Sequence, residues 1–122
     1  TVFPEGYRIT PFDDGRPTQL DLSSLWLQLL DCSPAEGAAL FHGTLAEGLC
    51  ALALPVLHRH GLREIVLTGG CVMNRVLTES LCAAFSRHHI AVRLPARLPP
   101  NDAALSLGQV YAYALCPPGK VE

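Results

Sequence analysis

The sequence has no Cys-x-x-Cys pair, no cluster of basic residues and little charge of either sign, and each absence excludes something. Charged residues make up 16% of the chain and the formal net charge is -2, so the electrostatics do not favour nucleic acid or an acidic membrane surface. The five cysteines, Cys32, Cys50, Cys71, Cys82 and Cys116, are scattered singly. An odd number without a framework reads as reduced, mainly packed thiols in a cytoplasmic protein. Pro55, His58 and Arg59 interrupt the one long apolar run, which argues against a membrane span and for a soluble chain. No Gly-x-x-x-x-Gly-Lys-Ser/Thr occurs, and Gly69-Gly70 lacks the third glycine of Gly-x-Gly-x-x-Gly, so two familiar phosphate-binding schemes are out. With neither an initiator Met nor a signal-like start, the expectation is a piece of a longer polypeptide.

What is abundant is apolar surface. Hydrophobic residues are 49% of 122, enough for one domain with a real core and a surplus that can face something outside the chain. Residues 1–20 form a β-rich opening, with Tyr7-Arg8-Ile9-Thr10 as a strand and Asp13-Asp14-Gly15 as the turn toward a second. Residues 21–61 are helical. Asp21 is a plausible N-cap for a helix with Leu22, Leu25, Trp26 and Leu29 on one face, which puts Trp26 in the core. Ser33-Pro34-Ala35-Glu36 has the pattern of a capping box with proline at the first helical position. It opens a long amphipathic helix running to about His60, with Phe41, Leu45, Leu49, Leu52 and Val56 on its apolar face, Pro55 as a kink or junction and Gly61 as the stop. His42, beside that face, reads as a packed or hydrogen-bonded core histidine rather than a catalytic one. His58 with His60, and His88 with His89, are spaced so that the members of each pair point apart, which suits polar helix ends better than metal ligands.

Residues 62–116 form an α/β unit around Ile65-Val66-Leu67-Thr68-Gly69-Gly70-Cys71-Val72-Met73-Asn74-Arg75. A β-branched run, two glycines and helical spacing predict a buried strand, a tight turn and a helix N-terminus, a corner suited to a phosphate or another anion. Its plainer reading is a turn that needs positive φ. Met73, Leu77, Leu81 and Phe85 mark the buried face of the helix, and Ile90 to Leu94 a second strand, parallel to the first through a crossover. Pro95 to Pro100, with three prolines, can continue neither element. Asn101-Asp102 then precede a last helix over Ala103 to Ala114, whose small residues predict a buried element, before Pro117-Pro118-Gly119 and a tail over 117–122.

Two side chains here have a double reading. Asp102 is either an N-cap, worth about 1 kcal/mol, or, if Asn101 caps, a carboxylate free to bind a metal or polarise a substrate. Asn74 either folds back on the backbone or presents its amide to a ligand over the glycines. Arg75 is a surface residue or a phosphate partner. A helix terminus supplies roughly 0.3 to 2 kcal/mol toward an anion, whereas micromolar binding needs about 8 kcal/mol, so a second wall is required.

Leu67-Thr68-Gly69-Gly70-Cys71-Val72-Met73-Asn74-Arg75, followed by Leu98-Pro99-Pro100-Asn101-Asp102-Ala103-Ala104-Leu105-Ser106-Leu107-Gly108-Gln109, resembles the C-terminal region of the HypF carbamoyltransferases of nickel-iron hydrogenase maturation. Phe41-His42-Gly43-Thr44-Leu45-Ala46 is similar to that family too, and the likeness runs from about Arg8 to Leu115. The resemblance implies one lobe of an actin-like ATPase fold, α/β, a mixed sheet packed with long helices, in the version shared with tRNA threonylcarbamoyl transferases. It makes residues 1–122 a single domain, the second lobe, with 62–116 on the nucleotide side. It assigns Gly69, Gly70 and Asn74 to ATP or carbamoyl adenylate. It assigns Asp102 to a divalent metal, zinc, iron or magnesium, completed by two histidines of the first lobe that His58, His60, His88 and His89 do not match. It also implies the other domains of the same polypeptide, carbamoyl phosphate and ATP as substrates, and the C-terminal cysteine of a HypE acceptor as the target. Ala103-Ala104 stands where Gly-Gly is commoner, and Cys71 where an aliphatic residue is usual; packing is the expected role of Cys71. Two other classes stay open, a non-catalytic docking lobe and a tRNA-modifying relative, the latter disfavoured by the net charge.

Overall fold

The computed structural model describes residues 6–11 and 18–116, so the turn expected at Asp13-Asp14-Gly15 and the stop expected at Pro117-Pro118-Gly119 lie outside the described residues. Strands β1 (Arg8–Thr10) and β2 (Gln19–Asp21) pair antiparallel, Ile9 opposite Leu20. Helix α1 (Ser23–Leu29) follows at once, with Leu22 at its N-cap rather than Asp21. Asp21 ends β2 instead, and its carboxylate accepts from the Ser23 N–H at 2.8 Å and from the Ser23 hydroxyl. Leu25 is buried but Trp26 is 58% exposed, against expectation. Consecutive helical residues are rotated by about 100°, so a two-turn helix that points Leu25 inward swings its neighbour to the edge. There Trp26 meets only the rim of the core, with its ring 6.2 Å from that of Phe41.

Helix α2 (Pro34–Arg59) is the spine. Its capping box is complete: the Ser33 hydroxyl accepts from the Glu36 N–H at 3.4 Å, and the Glu36 carboxylate accepts from the Ser33 N–H at 3.1 Å. At the other end Gly61, at φ +62°, lets Leu62 N–H reach Leu57 O at 2.8 Å and Gly61 N–H reach His58 O at 3.2 Å, the paired bonds of a Schellman stop. The helix runs through Pro55. Two layers sandwich it. Toward β1 and β2 it turns Thr44 and Gly48, where a Cβ on Gly48 would stand 2.9 Å from Leu20. Toward α3 (Arg75–Ser86) it turns Ala46, Cys50 and Leu57, which join Leu77, Leu81, Ala84, Phe85 and Ile90 in one buried cluster. Small residues thus fill both contact lines, and Val56, expected on the apolar face, is exposed. By length and composition α2 could also cross a membrane, with a mean hydropathy of 1.5 over an 18-residue window, because Pro55, His58 and Arg59 sit too near its end to interrupt it. It packs on β1 and β2 along one line and on α3 along another.

Strand β3 (Glu64–Val66) pairs in parallel with β4 (Ala91–Arg93), Ile65 opposite Val92, and α3 forms the crossover between them, as predicted. The strand expected to be buried is covered on one face only. Ile65 turns to the cluster, whereas Val66 on the other face is 65% exposed. Leu77, Leu81 and Phe85 are buried as expected, but Met73 is 62% exposed, because it belongs to the 3-10 turn Gly70–Met73 and falls off the period of α3. Helix α4 (Leu105–Leu115) follows a second 3-10 turn, Asp102–Ala104. Expected to be buried, it has no buried residue and packs mainly on that turn. On its other side it faces Thr68, Gly69 and Pro100 across an open cleft.

Candidate functional site

The chain leaves β3 through a bend whose backbone dictates its sequence. Leu67 N–H extends the ladder to Arg93 O at 3.0 Å, and Gly69 then takes φ +101° and ψ 164°, a region essentially closed to residues with a Cβ. That conformation aims the Gly69 N–H at the Pro100 carbonyl, 2.6 Å away, while the Thr68 hydroxyl donates to the same oxygen at 3.2 Å. The glycine bend is therefore clasped to the residue just ahead of Asn101-Asp102.

A cleft of about 580 Å³ opens at the clasp, with Thr68, Gly69 and Pro100 on one side and Asp102, Gly108 and Gln109 on the other. Asn101 caps the turn, its Oδ1 accepting from Ala103 N–H at 3.2 Å while its Nδ2 donates to Met73 Sδ at 3.3 Å. With the capping done by Asn101, Asp102 is exposed, and its carboxylate has no hydrogen bond or ion pair among the described residues. Of the four candidate residues, Gly69 and Asp102 share this cleft; Gly70 and Asn74 do not line it.

The α-helix expected directly after the glycines is displaced by one 3-10 turn, closed by Val72 N–H to Gly69 O at 3.1 Å and pinned to α3 by the Thr78 hydroxyl, 2.8 Å from Val72 O. The N–H groups of Gly70 and Cys71 lie ahead of that first bond and have no acceptor among the described residues. Asn74 is the N-cap of α3, its Oδ1 accepting from Leu77 N–H at 3.2 Å. Its Nδ2 lies 3.0 Å from His42 Nε2, and His42 Nδ1 lies 2.7 Å from Ala38 O. His42 is thus a hydrogen-bonded, half-buried histidine, as expected, but its partner across 32 residues was not legible. The only hint was the Phe41-His42-Gly43-Thr44 stretch, similar to the family without a stated role.

Other candidates settle into plain roles. Arg75 pairs with Glu79 at 3.6 Å on an exposed helix face. Burial, helped by the nearby Glu47 carboxylate, pushes the Cys50 thiol up, which keeps it protonated and inert. Glu47 itself is held by Arg87, the C-cap of α3. His58 and His60 are exposed at the end of α2, and His88 and His89 just past α3. No three His, Cys, Asp or Glu side chains gather into a metal cage among the described residues.

Residues 5–109 match the sequence profile described as the carbamoyltransferase Kae1-like domain, second subdomain. The chain is 37% identical to carbamoyltransferase HypF2 of Cupriavidus necator over 111 residues, 90% of this chain and 13% of that protein. It is 41% identical to a carbamoyltransferase HypF homolog of the same organism over 83 residues, 68% of this chain and 21% of that protein. With carbamoyltransferase HypF of Rhizobium leguminosarum bv. viciae it shares 42% over 80 residues, 66% of this chain and 10% of that protein. The chain therefore spans between a tenth and about a fifth of the length of these relatives. Its α/β arrangement of small sheets and helices is compatible with that subdomain, and the chain belongs to the HypF carbamoyltransferase family, matching the second subdomain of its Kae1-like domain.

Proposed function

We propose that this chain is a single domain, one lobe of an actin-like ATPase fold within a carbamoyltransferase, and that it forms one wall of the site that transfers a carbamoyl group by way of carbamoyl adenylate. Carbamoyl phosphate and ATP are the substrates in this reading. The acceptor is the C-terminal cysteine of a HypE-like partner, and the product goes toward the cyanide ligands of nickel-iron hydrogenase. The observation that carries the reading is the cleft shared by Gly69 and Asp102.

The residues fit the two groups the reading calls for. Among the described residues nothing lies within 4 Å of where a Cβ would stand on Gly69 or Gly70, so an anionic oxygen can approach the backbone closely and meet the N–H groups of Gly70 and Cys71 that have no acceptor there. Asp102 offers an uncommitted hard oxygen donor, which suits a divalent cation as one ligand of several. The remaining ligands then come from a segment outside the described residues. When bound, the metal neutralises negative charge as the acyl-phosphate bond breaks. Gly69, Gly70 and Asn74 hold the nucleotide part in place, and the exposed apolar side of α4, with Leu105, Val110 and Tyr111, fits a chain that works against the other domains of a longer polypeptide. The five free cysteines and the low charge support a cytoplasmic setting without nucleic acid or membrane as partner.

Asn74→Ala and Asp102→Ala in the intact protein test this directly, by transfer of labelled carbamoyl to the partner thiol. Each is expected to lower transfer at least tenfold, and undiminished transfer in both defeats the proposal. The bare face of α4 also favours a second reading, a docking lobe without chemistry. Calorimetry of the intact protein with an ATP analogue separates the two: an absence of heat, with partner binding retained, selects the docking lobe.

A further inference from the structure

Asn74 stands outside the cleft, yet its amide is held more firmly than a helix cap requires. A capping oxygen fixes one point of the carboxamide, about which the group can still turn; a second bond fixes its plane. The second bond comes from α2. Ala38 O can only accept, so His42 Nδ1, 2.7 Å away, carries the proton. In the neutral ring Nε2 is then an acceptor, and the Asn74 amide nitrogen, 3.0 Å away, is its donor. That orientation agrees with Asn74 Oδ1 accepting from Leu77 N–H at 3.2 Å. Turned over, the amide would set N–H against N–H at Leu77 and oxygen against a lone pair at His42. The His42 ring is itself braced edge-on by Phe41, with centroids 5.6 Å apart and planes at 89°.

We infer that His42 is a positioning residue: it locks the Asn74 carboxamide in one plane, with the oxygen on the α3 cap and the second Nδ2 hydrogen left as a donor for a nucleotide. Among the described residues that second hydrogen has no acceptor, and Asn74 is exposed. This rests on the reading of Asn74 as a nucleotide contact, and it adds a residue 32 positions upstream to that site.

The two polar near-isosteres of histidine divide its bonds between them. Asparagine reproduces the Nδ1 position and can keep Ala38, but is too short to reach Asn74; glutamine places an acceptor oxygen where Nε2 stands and gives up Ala38. In the intact protein, binding of a non-hydrolysable ATP analogue is measured by calorimetry for His42→Asn, His42→Gln, Asn74→Ala and each His42 variant combined with Asn74→Ala. A positioning role makes His42→Asn bind about five- to tenfold more weakly, the range of one oriented hydrogen bond. His42→Gln stays within about twofold of the parent, and neither variant changes affinity further once Asn74 is alanine. A residue that merely packs α2 on α3 gives equal losses in the two variants, or losses that persist beside Asn74→Ala, and either result overturns the proposal. If Asn74→Ala weakens binding while His42→Asn matches the parent, the positioning role alone is refuted. If Asn74→Ala leaves binding intact, the nucleotide role of Asn74 falls, and the inference with it. Melting curves of each variant separate a loss of fold from a loss of affinity.

Discussion

Gly69 and Gly70 look interchangeable in the sequence, and the structure separates them. Gly69 sits at φ +101° and ψ 164°, whereas Gly70 is not among the positive-φ residues. Neither position is crowded, so any cost of Gly69→Ala comes from the backbone alone. Holding alanine in that region costs about 1 to 3 kcal/mol, offset by about 0.4 to 1 kcal/mol from the stiffer unfolded chain. The net expectation is roughly 1 to 2 kcal/mol against the bend, and its release through loss of the bond from Gly69 N–H to Pro100 O. Gly70→Ala, with only the unfolded-chain effect, should be neutral or slightly stabilising. Hydrogen exchange of the intact protein, followed by mass spectrometry on peptides covering residues 67–74, reads local opening directly. A shift of 1 to 2 kcal/mol corresponds to exchange about 5- to 30-fold faster in Gly69→Ala. Equal exchange in the two variants would refute the argument that this backbone angle is what the bend demands of its sequence.

Further expectations follow from the core and the caps. Phe85→Ala removes one of the largest fully buried side chains and should cost about 3 to 5 kcal/mol in denaturant unfolding; a cost below about 1 kcal/mol would mean that the cluster between α2 and α3 is not the core. Thr44 is buried with a hydroxyl that has no hydrogen-bond partner among the described residues, so Thr44→Val should stabilise by about 1 kcal/mol, measured the same way. Ser33→Ala should destabilise by about 1 kcal/mol through loss of the α2 cap. The Ser33 hydroxyl and N–H hold the Glu36 carboxyl below its ordinary value. Its contribution is therefore complete above the unfolded-state pKa and is lost as pH falls through the lower folded one, a slope that Glu36→Gln should remove from stability measured against pH.

What could be read in advance divides along physical lines. Local chemistry was legible: the Ser33–Glu36 box, the Gly61 stop and the Leu77, Leu81, Phe85 face depend on residues three to five apart and appear where expected. The parallel pairing of β3 and β4 followed from strand, helix, strand order. Periodicity, however, reports a face without its partner. It assigned Trp26 and Val56 to an interior, as small residues did for α4, and in the structure these surfaces lie open. Met73 failed for another reason, because a 3-10 turn shifted the phase of the helix after it. At the site, two adjacent candidates for one cap correctly raised the prospect of a free Asp102, whereas the contact of His42 with Asn74 joins two helices and leaves no mark on local pattern.

The Pro100 carbonyl engages both donors of the glycine bend, which occupies its two lone pairs. Helix α4 begins five residues later and among the described residues packs mainly on the turn before it, so the bend and the helix are yoked like the two blades of a hinge, pinned at Pro100 and again where Asn101 meets Met73. A molecule settling between them would have one rotation to arrest instead of two independent walls to gather, and swinging that helix from outside would tug directly on the bend.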